Sequence, residues 1–196
     1  MKILVVNAGS SSLKYQLFNM DNNEVLAKGL CERIGIDGAV THKRPDKPDY
    51  KASVDFPDHK AAIECVLSLL TDKDKGVIAS VDEISAVGHR FAHGGEKLRA
   101  SAILGADEIA YLESIVGLNP LHGPPAISGF KACKRGYAKR QPRRGVRYVL
   151  LFQHGRLRVH LSDSLRTVRK TQNSPLRFPR HVAQIRCGKS GGTSRQ

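Results

Sequence analysis

The chain has 196 residues and carries 32 lysines and arginines against 18 aspartates and glutamates, a formal charge of +14. Its length allows one domain or two small ones, and 40% apolar residues are enough for a packed core. The four cysteines are far apart with no CxxC pair, which argues against a zinc site and against a disulfide scaffold. No apolar run has the length of a signal peptide or a membrane span, so we expect a soluble cytoplasmic protein with no membrane partner.

The positive charge is concentrated in the last part of the chain. Residues 1–134 carry 16 basic and 17 acidic side chains, whereas residues 135–196 carry 16 basic side chains and a single acid, Asp163. Thirteen of the 17 arginines lie in this second segment. We therefore predict one folded domain over residues 1–134 and a disordered Arg-rich tail over residues 135–196.

The first part of the chain has the pattern of several short strands. Residues 3–6 form a β-branched and leucine run that predicts a strand. A glycine and serine turn at residues 7–12, called here the serine turn, leads to a second predicted strand at 14–18. A third strand is predicted at 25–30, and the polar stretch 37–55 indicates an excursion or an irregular hairpin.

Helices and a strand follow. Apolar residues recur at helical spacing from Asp58, the expected N-cap, to Leu70. A short buried strand is predicted at 84–87, a second helix at 108–116 and a third at 126–133. No helical or strand period persists after Lys134. The order of elements predicts a mixed α/β domain.

The serine turn has the chemistry of an anion site. Its small residues let backbone N–H groups approach a phosphate closely, and the hydroxyls of Ser10 and Ser12 and the ammonium of Lys14 add donors. Asn7, at the end of the first strand, could hold a metal ion or its water. A plain hairpin turn is the alternative interpretation.

Two further side chains are candidates for binding and catalysis. Arg90 follows a buried strand, and its guanidinium could hold a carboxylate in a bidentate pair or form a structural salt bridge. His122, in a Pro-rich loop, could donate to a developing phosphoryl charge or be an ordinary loop histidine. His89 and His93 are four residues apart, but the segment does not have a helical pattern, so we do not predict a metal site there.

Three runs together resemble the acetate kinase family, within the sugar-kinase, heat-shock and actin superfamily. They are Asn7-Ala8-Gly9-Ser10-Ser11-Ser12-Leu13-Lys14, Gly88-His89-Arg90-Phe91-Ala92-His93-Gly94-Gly95-Glu96 and Pro120-Leu121-His122. The resemblance covers residues 1 to about 134. It implies an α/β fold with a ribonuclease H-like (actin-like ATPase) N-terminal domain that is incomplete and is followed by a non-family basic tail. One position departs from the family, since Gly123 stands where an Asn is usual.

The resemblance also implies an activity and roles for these residues. The activity is the reversible ATP-dependent phosphorylation of acetate, or a related short-chain carboxylate such as propionate, to the acyl phosphate. By resemblance, Arg90 binds the carboxylate, His122 is catalytic, and Lys14 with Ser10 and Ser12 binds ATP. Asn7 lies near Mg²⁺, for which Mn²⁺ could substitute. The resemblance also implies that the full-length enzyme is a cytoplasmic homodimer with no specific nucleic-acid partner.

Two motifs of the family are missing from the tail. They are a Val-Phe-Asp-Thr strand with an essential Asp and a Gly-Phe-His-Gly-Thr-Ser-His run with an ATP-site His. Back-translation of residues 145–149 and 177–186, read one nucleotide later, can spell both, and residues 137–140 can spell Met-Pro-Asn-Val. We therefore hypothesise a one-nucleotide frameshift near codons 133–136.

Two alternative functions stay open from the sequence. The first is a catalytically inactive frameshifted fragment of an acetate kinase, in which loss of the family strand leaves an exposed sheet edge. The second is a basic nucleic-acid-binding protein that uses the tail, with only Tyr137, Tyr148, Phe152 and Phe178 available for stacking on bases.

Overall fold

The computed structural model describes residues 1–140 and 146–152. The chain divides into two units, Met1–Val159 and His160–Gln196, and every described residue lies in the first. Eight strands of this unit form one sheet: β1 (Lys2–Ala8), β2 (Ser12–Asn19), β3 (Glu24–Glu32), β4 (Ala39–Arg44), β5 (Lys47–Ser53), β6 (Ile84–Phe91), β7 (Ala102–Ile103) and β8 (Arg147–Phe152).

The sheet is mixed. The strand order is β5-β4-β3-β2-β1-β6-β8-β7. The pairs β1–β6 and β6–β8 are parallel, whereas strands β1 to β5 form an antiparallel meander. An antiparallel meander that continues into parallel strands agrees with the ribonuclease H-like arrangement that the resemblance implied.

The four predicted strands are confirmed, and each is longer than the sequence suggested. The stretch 37–55 forms the regular hairpin β4–β5, with one irregularity in register between His42 and Arg44. Strand β6 was predicted to end at Val87 but continues to Phe91. Its extra residues include Gly88 and His89, which are buried between neighbouring strands and gain ladder hydrogen bonds on both sides.

Three α-helices accompany the sheet: α1 (His59–Thr71), α2 (Ala106–Ser114) and α3 (Gly123–Arg140). The predicted N-cap is confirmed, because the Asp58 side chain accepts a hydrogen bond from the Ala61 N–H at 2.8 Å. Helix α3 begins three residues before the predicted start at Ala126. Pro124 and Pro125 fit its first turn, where backbone N–H groups have no partner within the helix.

Helices α1 and α3 cover one face of the sheet. The larger core lies between them and the inward-facing residues of β1 and β2, among them Leu4, Val6 and Leu13. Gly129 brings α3 close to the end of β1, since a Cβ atom there would lie 2.7 Å from the Ala8 Cβ. A second, smaller core joins α2, the first half of α3, Phe91 and Leu150.

The structure corrects the sequence analysis after Lys134. Helix α3 continues to Arg140, and β8 pairs in parallel with β6 from Ala86↔Arg147 to Phe91↔Phe152. The expected exposed edge at β6 is therefore wrong: β8 covers it and buries Val149 and Leu150. A strand of six residues is too short for an alternation of apolar and polar residues to be recognised within an Arg-rich segment.

The remaining parts of the tail are outside the described residues. These include Asp163, Phe178 and the run 177–186. The proposed domain boundary at residue 134 stays a prediction. Among the described helices, none is long and apolar enough to span a membrane.

Candidate active site

A cleft opens where the carboxyl ends of β1 and β6 meet. The two strands are parallel, so Asn7 near the end of β1 and Arg90 near the end of β6 reach the same edge of the sheet. Strand β2 returns from the serine turn and places Lys14 directly opposite Asn7 in the antiparallel register. Ligands commonly bind at the carboxyl ends of parallel strands for this reason.

The cleft has a volume of about 220 Å³. Nine residues line it: Asn7, Ala8, Gly9, Ser12, Lys14, Arg90, Ala92, His122 and Ala126. Five of the six candidate residues named from the sequence are therefore brought together. The sixth, Ser10, is exposed at the tip of the serine turn and is not part of the lining.

Helix α3 brings His122 to the cleft. His122 immediately precedes the helix, and its carbonyl accepts the Ala126 N–H at 3.3 Å. The turn before it is closed by the Gly123 N–H, which donates to the Asn119 carbonyl at 2.8 Å. Because Gly129 anchors the same helix against Ala8, the position of His122 is set relative to β1 as well as to its own loop.

The electrostatics of the lining favour an anion. Lys14 and Arg90 contribute two positive charges, and no acidic side chain is among the lining residues. Within residues 1–140 and 146–152, neither cation forms an ion pair with a carboxylate. Two cations at the edge of a sheet, with their donors uncommitted to neighbouring acids, suit a carboxylate and a phosphate.

Hydrogen bonds from two other segments hold the serine turn. The Gly9 N–H donates to the Ser12 carbonyl at 2.8 Å, and the Ser11 carbonyl accepts the Ile34 N–H at 3.0 Å. The Gly9 carbonyl accepts a hydrogen bond from His59 Nε2 at 2.7 Å. His59 was not named as a site residue from the sequence, since it is separated from Gly9 by 50 positions and its only local signal is its place after the Asp58 cap.

The two histidines beside Arg90 are outside the cleft. His89 points to the opposite face of β6, where it is buried against Phe130 and Tyr148 with ring centroids 5.3 and 6.0 Å away. Burial lowers the pKa of His89 to about 3, so it is neutral. His93 follows β6, and its Nδ1 accepts the Gly95 N–H at 3.0 Å.

The family model for the acetokinase family matches residues 2–146 of the sequence. The chain belongs to the acetokinase family. Among curated members of this family, the acetate kinase of Clostridium beijerinckii is 53% identical over 135 residues, and that of Methanosarcina acetivorans is 52% identical over 135 residues. Each alignment covers 68% of this chain, and 34% and 33% of the respective relative. The chain thus spans about a third of the length of the acetate kinases it matches.

Solved structures of the acetokinase family share the fold. The Porphyromonas gingivalis acetate kinase superposes with a TM-score of 0.70 at 34% identity, covering 83% of this chain and 43% of that one. A propionate kinase from Francisella tularensis superposes with a TM-score of 0.66 at 24% identity, covering 84% of this chain and 43% of that one, which supports the fold alone. These neighbours agree with a mixed α/β domain that corresponds to part of an acetokinase.

Proposed function

We propose that the cleft is the carboxylate and phosphate site of an acetate kinase, which transfers the γ-phosphoryl group of ATP reversibly to acetate and releases ADP. The observation that carries this proposal is the pair of cations, Lys14 and Arg90, in a cleft whose lining contains no acid. Membership of the acetokinase family supports the same reaction. Propionate or another short-chain carboxylate is the alternative acceptor.

The proposed mechanism relies on position and charge. The Arg90 guanidinium would hold the acceptor carboxylate in a bidentate pair, so that one carboxylate oxygen faces the phosphoryl group. Lys14, with Ser10 and Ser12, would bind the phosphates of ATP. His122 would donate a hydrogen bond to the oxygens of the phosphoryl group in flight, where negative charge is spread during transfer.

Mg²⁺ fits this donor set only as an ion that arrives with the nucleotide. The described lining offers the Asn7 amide oxygen and serine hydroxyls but no carboxylate, and the described residues contain no cluster that would hold a metal by itself. Mg²⁺ in phosphoryl-transfer sites keeps several waters and binds substrate phosphates, so one protein oxygen is compatible with it. Asn7 would be that ligand, and Mg²⁺, or Mn²⁺ in its place, would neutralise phosphate charge.

Binding and turnover of the purified 196-residue chain test the proposal. We expect acetate and MgATP to bind in calorimetric titrations and acetyl phosphate to form in a hydroxamate assay. Arg90→Gln should weaken acetate binding at least tenfold, because a hydrogen bond to a charged group contributes about 1.5–3 kcal/mol. Arg99→Gln is the matched control, since Arg99 is exposed and its Nε donates to the Glu96 carbonyl outside the cleft.

The same titrations separate the proposal from an inactive fragment. The absence of the two family motifs from residues 135–196 favours this second candidate. Binding of both ligands without acetyl phosphate formation would establish the fragment. If neither ligand bound, or if Arg90→Gln and Arg99→Gln behaved alike, the assignment of the cleft would be wrong.

The proposal includes four further expectations, on the reading frame, the cellular location, the oligomeric state and nucleic-acid binding. A frameshift near codons 133–136 is tested by resequencing the locus, and an uninterrupted frame encoding residues 135–196 would contradict it. A cytoplasmic location and a homodimer of the full-length enzyme are the expected cellular context. A nucleic-acid role is disfavoured in the described part of the tail, because Tyr148 packs against His89 and Phe130 rather than being free to stack on a base.

A further inference from the structure

The hydrogen bond between His59 and Gly9 links the start of a helix to the serine turn. His59 is the first residue of α1, and its Nε2 lies 2.7 Å from the Gly9 carbonyl oxygen. A carbonyl oxygen can only accept, so the His59 proton is on Nε2. The bond therefore selects one tautomer of the ring and fixes the direction of one carbonyl in the turn.

Fixing this carbonyl also fixes the next N–H group. The peptide bonds of the described chain are all trans, so the Gly9 C=O and the Ser10 N–H point in opposite directions. Helix α1 packs on the sheet face that carries Leu13 and Tyr15. The Gly9 carbonyl is held towards that helix by His59, so the trans peptide directs the Ser10 N–H away from it.

The other described hydrogen bonds of the turn hold different groups and not the Gly9 carbonyl. The Gly9 N–H closes the turn on the Ser12 carbonyl, and the Ile34 N–H holds the Ser11 carbonyl. Among the described residues, His59 is the one whose side chain forms a hydrogen bond with the backbone of residues 9–12. A side chain outside the cleft thus restrains the backbone of Gly9, which is one of the lining residues.

We propose that His59 is a positioning residue for phosphate binding: by holding the Gly9 carbonyl, it keeps the Ser10 N–H available to the phosphates of the nucleotide. The role as a positioning residue for phosphate rests on the proposed function of the cleft. The restraint of the turn by His59 does not depend on that function. Hydrogen exchange at Gly9 measures the restraint, and the affinity for MgATP measures the role in phosphate binding.

The test compares three variants of the 196-residue chain with the unchanged protein. His59→Leu removes the donor, His59→Gln replaces it with an amide donor of similar reach, and Lys60→Gln is a control at the next position of the same helix. Hydrogen exchange of the Gly9 amide without ligand reports on opening of the turn, with the Leu4 amide in the middle of β1 as the reference for global unfolding. Calorimetric titrations then give the affinities for MgATP and for acetate.

We expect His59→Leu to speed exchange at Gly9 about fivefold with no change at Leu4, the factor that one neutral hydrogen bond contributes. MgATP should bind about fivefold more weakly, whereas acetate, held by Arg90, should bind as before. His59→Gln should restore most of both effects, and Lys60→Gln should show neither. A purely structural role would instead change Leu4 exchange and both affinities together.

Two results would overturn the inference. One is unchanged Gly9 exchange in His59→Leu, and the other is an unchanged MgATP affinity in a variant whose Gly9 exchange is faster. If the unchanged protein bound no MgATP while Gly9 exchange still responded to His59→Leu and His59→Gln, the proposed function would fail, but the restraint of the turn by His59 would stand.

Discussion

Two adjacent residues of β6 show how strand alternation separates a cleft-lining side chain from a packed one. Arg90 lines the cleft, whereas His89 points to the other face and is 2% exposed. Its Nε2 has no hydrogen-bond partner among the described residues. The sequence predicts a site residue at Arg90 and no metal site at His89, although both residues lie in the same motif of the family. The period of two along a strand assigns them to opposite environments.

Stability should therefore depend on pH through His89. An unfolded histidine has a pKa of about 6.5, whereas burial lowers the pKa of folded His89 to about 3. Between these values the unfolded chain binds a proton that the folded chain does not, so the stabilisation is complete above pH 6.5 and is lost progressively as the pH falls. We expect His89→Leu to raise the unfolding midpoint at pH 5 relative to the unchanged protein, with little difference at pH 8.

Denaturant titrations at several pH values check this expectation. Burial also lowers the pKa of His42, so some pH dependence should persist in His89→Leu. The difference between the two proteins is the quantity that isolates His89. If the free energies of unfolding of His89→Leu and of the unchanged protein changed equally between pH 8 and pH 5, a neutral, buried His89 would be contradicted.

At the scale of elements, one contact sets the spacing of β2, β3 and β4. The Tyr15 hydroxyl lies 2.5 Å from His42 Nδ1, and His42 Nε2 lies 3.0 Å from the Lys75 carbonyl. Gly29 of β3 sits between Tyr15 and β4, where a Cβ atom would lie 2.4 Å from the Thr41 carbonyl and 2.5 Å from the Tyr15 hydroxyl. The three strands therefore pack so closely at Gly29 that no side chain fits there.

Gly29→Ala should destabilise the fold. We expect a loss of about 1–3 kcal/mol, the usual cost of forcing extra volume into a packed core, together with disturbance of the Tyr15–His42 bond. Gly117→Ala is the matched control, because a Cβ atom there has open space around it, and its effect should be within about 0.5 kcal/mol. Thermal and denaturant unfolding measure both variants, and equal midpoints would show that the strands shift freely to accommodate the methyl group.

The sequence predicted the parts of the fold that depend on local signals. Asp58 capped the expected helix because side-chain capping is a local interaction. The cleft was also predictable, since Asn7, Lys14 and Arg90 lie at strand ends that the family motifs mark. Contacts between distant segments were not: neither the bond from His59 to Gly9 nor the space around Gly29 leaves a pattern that can be read along one segment.

The whole sheet also depends on a strand that composition did not reveal. Strand β8 lies in the Arg-rich segment, yet it pairs along six residues of β6 and places Leu150 in the smaller core. Pairing uses backbone groups, and burial requires only apolar side chains at suitable positions, so the run Tyr148-Val149-Leu150-Leu151 meets both demands.

Truncation before β8 should therefore be severe. Ending the chain at residue 145 exposes the edge of β6 and removes the burial of Val149, Leu150 and Leu151, each worth about 1.5–3 kcal/mol when fully buried. That loss approaches the roughly 5–15 kcal/mol that stabilises a typical domain, and an open edge promotes association. We expect a lower unfolding temperature and more aggregates in light scattering than for a chain ending at Phe152, the last residue of β8, which keeps the pairing with β6. Equal midpoints for the two truncated chains would mean that β8 contributes nothing to the sheet.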